Sequence, residues 1–196
     1  MKSILKRLFD VIFSVLGIFL FFWLLLLAWG IAILDTRTNG IFTQERIGRY
    51  GKRFKIYKLR TIQLNSGTEI VQITRIGRLL RNYKLDELPQ LINVLKGEMS
   101  VVGPRPDISG YYDLLEGEKR KILELKPGLT SPASLKYYKE DELLDAQDDA
   151  KGFNDNVLFP DKVQLNLEYY YRQSFCGDLK IIFNTCKLLI SRNKEQ

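Results

Sequence analysis

Leu85-Asp86-Glu87-Leu88-Pro89-Gln90-Leu91-Ile92-Asn93-Val94-Leu95-Lys96-Gly97-Glu98-Met99-Ser100-Val101-Val102 is the stretch that decides the fold. Leu88, Leu91, Ile92 and Leu95 recur at helical spacing. Pro89 suits a first helical turn and Gly97 a C-terminal stop, so the spacing predicts a short helix with a buried apolar stripe. Met99 to Val102 then reads as a short strand feeding Gly103-Pro104-Arg105-Pro106. A helix running into a strand predicts an α/β or α+β fold, mainly helical around a small sheet. Asp86 and Glu87 fall at the helix N-terminus, where unpaired N–H groups and the helix dipole favour negative charge. That position would keep Asp86 ionised and attract a phosphate or a metal-bound diphosphate. Acidic residues also stand there for capping alone, so the surroundings decide between the two.

The surroundings are basic. The 196 residues carry 30 Lys and Arg against 23 Asp and Glu, a net charge of +7. Such a surplus calls for an anionic partner: nucleic acid, anionic lipid, or nucleotide and lipid phosphates. Histidine is absent, which removes imidazole bases, Ser-His triads and the usual zinc ligand sets. Acid–base and nucleophilic work falls to carboxylates, Lys, Tyr or Ser. Cys176 and Cys186 show no Cys-x-x-Cys spacing and lie in a helical, amphipathic pattern, which predicts reduced packing residues.

Lys2, Lys6 and Arg7 precede a stretch from Val11 to Leu34 without a charged side chain. At about 1.5 Å per residue that stretch can cross a hydrocarbon core of about 30 Å. It is too long for a signal-peptide core and lacks a small-residue cleavage site, so it predicts a retained anchor over residues 1–38, followed by a catalytic domain over 39–196. Arg37, Arg46, Arg49, Lys52 and Arg53 follow it. With positive charge at both ends, a re-entrant hairpin fits better than a straight span. A bend in lipid, however, frees backbone groups that something must satisfy. The anchor tilts the choice of anionic partner towards lipid and away from nucleic acid.

Further along, alternation across Phe54 and Ile56 predicts a strand, with Gly48 to Gly51 as a turn and Asn65 to Glu69 as a loop. A helix is expected near Thr74 to Tyr83, with Ile73, Ile76, Leu79 and Leu80 inward and Arg75, Arg78, Arg81 and Lys84 open to anions. The two prolines around Arg105 fix its backbone, so its guanidinium can meet a phosphate with little entropy left to lose, although a proline-rich surface turn has the same composition. Glu140 to Asp149 reads as a solvated helix or mobile lid. Two C-terminal helices are expected, over Asp161 to Gln173 and Asp178 to Ser191, the second with Leu179, Ile182, Phe183, Cys186 and Leu189 at helical spacing. Their Tyr, Phe and basic residues suit interfacial amphipathic helices at a headgroup layer, and ordinary packing would give the same stripes.

Taken together, these motifs resemble the monotopic phosphoglycosyl transferases among the bacterial sugar transferases, over nearly the whole chain. The carriers are Lys6-Arg7-Leu8-Phe9-Asp10, Phe42 to Gly48, Phe54 to Thr61, and above all Leu85 to Ser100 leading into Val102-Gly103-Pro104-Arg105-Pro106. The resemblance implies transfer of a phospho-sugar from a UDP-sugar to polyprenyl phosphate, releasing UMP, at the cytoplasmic face of a bacterial inner membrane. It implies that Asp86 attacks the β-phosphate to form an aspartyl-phosphosugar, and that Glu87, with Asp86, holds Mg²⁺ on the diphosphate. Lys58, Arg60, Arg78, Arg81 and Arg105 are the cations expected to offset diphosphate charge. A carboxylate with its ordinary pKa of about 3.9 is ionised at neutral pH and needs no general base.

Two departures stand out. The anchor contains no proline, and Phe22-Trp23 occupies the place of the usual Ser-Pro break. After Thr130 the chain reads Ser131-Pro132-Ala133-Ser134-Leu135-Lys136 where relatives carry Gly-Trp-Ala-Gln-Val, leaving Lys136 as the substitute phosphate contact. Polyprenyl phosphate, a UDP-sugar and membrane lipid are the expected partners, and a homodimer is compatible with the reading. Two rival readings fit the anchor and the charge: a non-catalytic module binding anionic lipid or other polyanions, and a structural partner in membrane assembly. Neither accounts for paired carboxylates among the cations.

Overall fold

The computed structural model describes residues 2–64 and 71–192; the loop expected at Asn65 to Glu69 lies outside them. The chain is mostly helical with small sheets, as expected. It divides into two compact units, Met1–Arg46 with Phe54–Met99, and Ile47–Arg53 with Ser100–Gln196.

The first unit begins with helix α1, Lys2–Thr36, a single run of 35 residues. It is long and apolar enough to cross a membrane by length and composition. Its two flanks are packed and its middle is bare. At the start, Arg7 Nη1 and Nη2 donate to the carbonyls of Val94 and Leu95, at 2.5 and 2.6 Å. A Cβ on Gly17 would stand 3.2 Å from the Leu91 side chain. Towards the end, Ala28 and Ala32 are buried with Leu59 and Leu80 in one cluster, and Thr74 Oγ1 donates to Asp35. Between the flanks Phe19 is 82% exposed, and Leu20, Trp23 and Leu27 are open as well.

Strands β1, Ile41–Ile47, and β2, Arg53–Leu59, form a two-stranded sheet. The expected turn between them is a 3₁₀ turn over Arg49–Gly51, with Tyr50 and Gly51 at positive φ. Short strands β3, Ile62–Leu64, and β4, Val71–Ile73, pair antiparallel with Ile62 opposite Ile73. Helix α2, Arg75–Asn82, follows, its N-terminus capped by Thr74, whose hydroxyl accepts from the Gly77 N–H at 2.7 Å. Of its expected inward face, only Leu80 is buried; Leu79 is 54% exposed and Ile73 and Ile76 are also open. Helix α3, Gln90–Lys96, ends at Gly97, which is left-handed at φ 83 as the stop signal requires. Its buried face is Gln90, Leu91, Asn93 and Val94, whereas Ile92 is exposed, contrary to the expected stripe. The correction has a polar cause. Asn93 is fully buried and ties α3 to β2: its Oδ1 accepts from the Tyr57 N–H at 3.2 Å and its Nδ2 donates to the Lys55 carbonyl at 2.7 Å. Fixing Asn93 inward turns Ile92 outward.

In the second unit, β5, Ser100–Val102, runs parallel to β6, Gly128–Thr130, with Ser100 opposite Gly128 and Val102 opposite Thr130. This confirms the strand expected after Met99. A Cβ on Gly128 would lie 2.1 Å from the Gly103 nitrogen, so the two segments approach at a distance only glycine permits. Helix α4, Pro132–Lys136, is capped by Ser131, and α5, Glu140–Asp145, falls in the expected solvated segment. Then come α6, Ala150–Phe153, α7, Phe159–Arg172, and α8, Phe175–Arg192. The core joins Ile47, Tyr112, Ile122, Leu123 and Val163. Tyr169 donates to the buried Asp178 at 2.6 Å, fastening α7 to α8. Both C-terminal helices occur, each starting two or three residues before its expected position. The packing role expected of the cysteines is overturned: Cys176 and Cys186 are free and exposed, on a helix where Phe183 is 68% exposed.

Candidate active site

The paired carboxylates stand on a 3₁₀ turn, Leu85–Glu87, entered through Lys84 in the left-handed conformation at φ 56. Pro89 is the N-cap of α3, so the pair precedes the helix by a turn and does not occupy its first residues. Asp86 is 6% exposed, and its Oδ1 is buried without a hydrogen-bond partner. Burial, followed by the neighbouring Glu87 charge, pushes the Asp86 carboxyl above its ordinary value, while Lys58, Lys84 and Arg81 pull it down. The helix-end expectation of an Asp86 with its ordinary pKa is thus corrected: desolvation outweighs the cations.

Each surrounding side chain has a traceable origin. Strand β2 delivers Lys58, whose Nζ meets Glu87 Oε1 at 3.1 Å, with both side chains largely enclosed. Arg81 projects from the last turn of α2 and donates from Nε to Thr61 Oγ1 at 2.9 Å. Arg60 lies against the Phe42 ring, 5.7 Å from its centroid, and its buried Nε has no hydrogen-bond partner. Arg78 is exposed on α2. Of the residues expected in the site, the structure therefore gathers Asp86, Glu87, Lys58 and Arg81, and adds Lys84.

The remaining two belong to the second unit. Arg105 is exposed after the buried Gly103-Pro104 that leaves β5. Lys136 is engaged by Asp161, with Nζ 2.9 and 2.8 Å from the two carboxylate oxygens, and that partner raises the lysine pKa. Its charge is already compensated inside the protein. Thr61 and Asn93 are the site-building residues that the sequence reading passed over. Both lie inside the motif-bearing stretches, and for Asn93 the signal was a polar residue standing between Ile92 and Val94.

A metal can be weighed from the donors alone. Among the described residues no group of three or more acidic, His or Cys side chains converges, so there is no all-protein cage. Asp86 offers an unpartnered buried oxygen, with Glu87 next to it. One or two carboxylates completed by substrate phosphates is the usual Mg²⁺ arrangement, and these residues fit it.

The family model described as bacterial sugar transferase matches residues 1–192. The chain belongs to the bacterial sugar transferase family. It is 34% identical, over 98% of its length and 91% of the relative's, to the uncharacterized sugar transferase EpsL of Bacillus subtilis. It is also 34% identical to the UDP-glucose:undecaprenyl-phosphate glucose-1-phosphate transferase of Caulobacter vibrioides, over 95% of this chain and 70% of the relative. The undecaprenyl-phosphate galactose phosphotransferase of Salmonella typhimurium is 30% identical over 96% of this chain, which spans 41% of that protein. Membership makes the chain a transferase and displaces the non-catalytic readings.

Proposed function

We propose that this bacterial sugar transferase moves a phospho-sugar from a UDP-sugar to polyprenyl phosphate. The reading rests on the buried Asp86 oxygen without a partner, set among Lys58, Arg81 and Lys84. A carboxylate kept desolvated without a hydrogen bond is costly for stability, and a nucleophile waiting for an electrophile accounts for that cost. Relatives named as glucose and galactose phosphotransferases of undecaprenyl phosphate support the reaction class.

In the first step an Asp86 oxygen attacks the β-phosphorus of the UDP-sugar. The bond from that phosphorus to the bridging oxygen breaks, UMP leaves, and the phospho-sugar is held as an acyl phosphate. In the second step a phosphate oxygen of polyprenyl phosphate attacks the same phosphorus, releasing Asp86 and forming polyprenyl-diphosphate-sugar. The absence of histidine is no obstacle, because both nucleophiles are already anionic. Arg81 and Lys84 offset the charge of the incoming diphosphate, while Lys58 holds Glu87 in place. Asp86 and Glu87 would hold Mg²⁺, which supplies charge neutralisation on the diphosphate. The site belongs in this reading to the cytoplasmic face of the bacterial inner membrane.

The test is UMP release by detergent-purified protein with Mg²⁺, polyprenyl phosphate and a panel of UDP-sugars, beside Asp86→Asn. Release by the wild type and loss of at least about a thousandfold in the variant are expected. Near-normal release by Asp86→Asn removes it as the nucleophile.

A further inference from the structure

Thr61 leaves strand β2 at 4% exposure and is engaged by both ends of α2. Its carbonyl accepts from the N–H of Thr74, the N-cap, at 3.2 Å. Its hydroxyl accepts from Arg81 Nε, near the helix end, at 2.9 Å. Between these points a Cβ on Gly77 would stand 2.3 Å from the Thr61 carbonyl oxygen, so the helix lies directly on this residue. The hydroxyl is therefore a fixed point, and the guanidinium is held to it.

A guanidinium is a planar fork of five donors, and tying Nε orients the plane that carries the other four. The Arg81 guanidinium makes no other hydrogen bond among the described residues, and its charge acts on Asp86. Lys58 is committed to Glu87, and Arg78 is exposed on α2. Among the cations whose charge acts on Asp86, Arg81 combines an imposed orientation with unspent donors.

We propose that Thr61 is a positioning residue for phosphoryl transfer: its hydroxyl sets the plane of Arg81 so that the Nη groups meet two oxygens of the donor diphosphate. This rests on the UDP-sugar reading above. A bidentate contact needs that plane, because a swivelling guanidinium gives up the second hydrogen bond and pays more ordering entropy.

The test measures kcat/KM for the UDP-sugar in wild type, Thr61→Val, Thr61→Ala, Thr61→Ser, Arg81→Ala and the double variant Thr61→Val/Arg81→Ala. Thr61→Val, near in shape but lacking the acceptor, should lose about tenfold, the scale of one charge-assisted hydrogen bond. Thr61→Ala should lose as much, Thr61→Ser should stay within about twofold of wild type, and Thr61→Val should add nothing in the Arg81→Ala background. A loss that persists without Arg81, or a Thr61→Ser variant as impaired as Thr61→Ala, overturns the assignment, as does an unimpaired Thr61→Val or Thr61→Ala. If Thr61→Val does not fold, Thr61→Ala and Thr61→Ser decide alone. An active wild type with an indifferent Thr61 defeats this inference only; a wild type silent on every UDP-sugar defeats it together with the donor reading.

Discussion

Asp86 sets a stability cost against its chemistry. Because burial raises its pKa, the folded protein binds this proton more tightly than the unfolded chain does. The contribution of this group to stability is therefore most favourable below the unfolded value and declines as pH rises through the folded one, so at neutral pH the ionised form is a net cost. Asp86→Asn should then raise the thermal midpoint while abolishing turnover, by about 2–4 °C for a relief on the order of 1 kcal/mol. A lower midpoint for the variant would contradict the desolvation argument. In the proposed mechanism a protonated Asp86 cannot attack, so the raised pKa should place the acid limb of the pH–rate profile above the ordinary carboxylate range. None of this was legible beforehand: the sequence shows the carboxylate pair, but its burial depends on β2 and α2, which converge from elsewhere in the chain.

Among the elements, α3 is tied to β2 by a buried amide. Asn93 is fully buried and carries the hydrogen bonds to β2. Asn93→Ala leaves the Tyr57 N–H and the Lys55 carbonyl without their partner and should cost about 3 kcal/mol, roughly 6–12 °C in thermal midpoint. A thermal scan in detergent checks it, and a change below about 2 °C would show that water replaces the amide. Helix type and position were readable from periodicity for α2, α3, α7 and α8, and Gly97 marked its stop correctly. The faces were less readable. Ile76, Leu79, Ile92 and Phe183 repeat at helical spacing yet point outward. Periodicity identifies an apolar face without naming what covers it, and the usual inference that apolar means inward assumes that the alternative is water. Near a bilayer that assumption lapses.

At the scale of the molecule, the anchor has a geometry that a label can test. Both flanks of α1 touch the first unit, Arg7 at the end of α3 and Asp35 at the start of α2, while Phe19 to Leu27 is largely bare. A helix crossing the bilayer would separate its ends by the hydrocarbon thickness, about 30 Å. One that dips in and returns leaves both ends on one side, and we propose that topology for this chain because both flanks of α1 pack on the first unit. Single cysteines at Ser3 and Thr38, in a protein carrying Cys176→Ser and Cys186→Ser because both native thiols are exposed, should label from the same side of sealed inverted vesicles. Labelling from opposite sides would establish a span. The units themselves were hidden from the sequence, since Ile47–Arg53 groups with Ser100–Gln196, and such long-range association leaves no local trace.

The bond from Arg7 to the carbonyls of Val94 and Leu95 joins residues 87 and 88 positions apart, and this separation imposes an order on biogenesis. The first helix leaves the ribosome long before its partner exists, by about 4–18 s at about 5–20 residues per second. During that interval its apolar side chains have no partner from α3, and a bilayer is the apolar surface that its length and composition suit. Until α3 arrives, Arg7 lacks its acceptors at Val94 and Leu95, and Asp10 and Ser14 are not yet enclosed. We propose that this helix meets the membrane before the Asp86 turn can be completed, so that a chain failing to do so would meet its own Leu85–Glu87 segment with an unshielded hydrophobic helix.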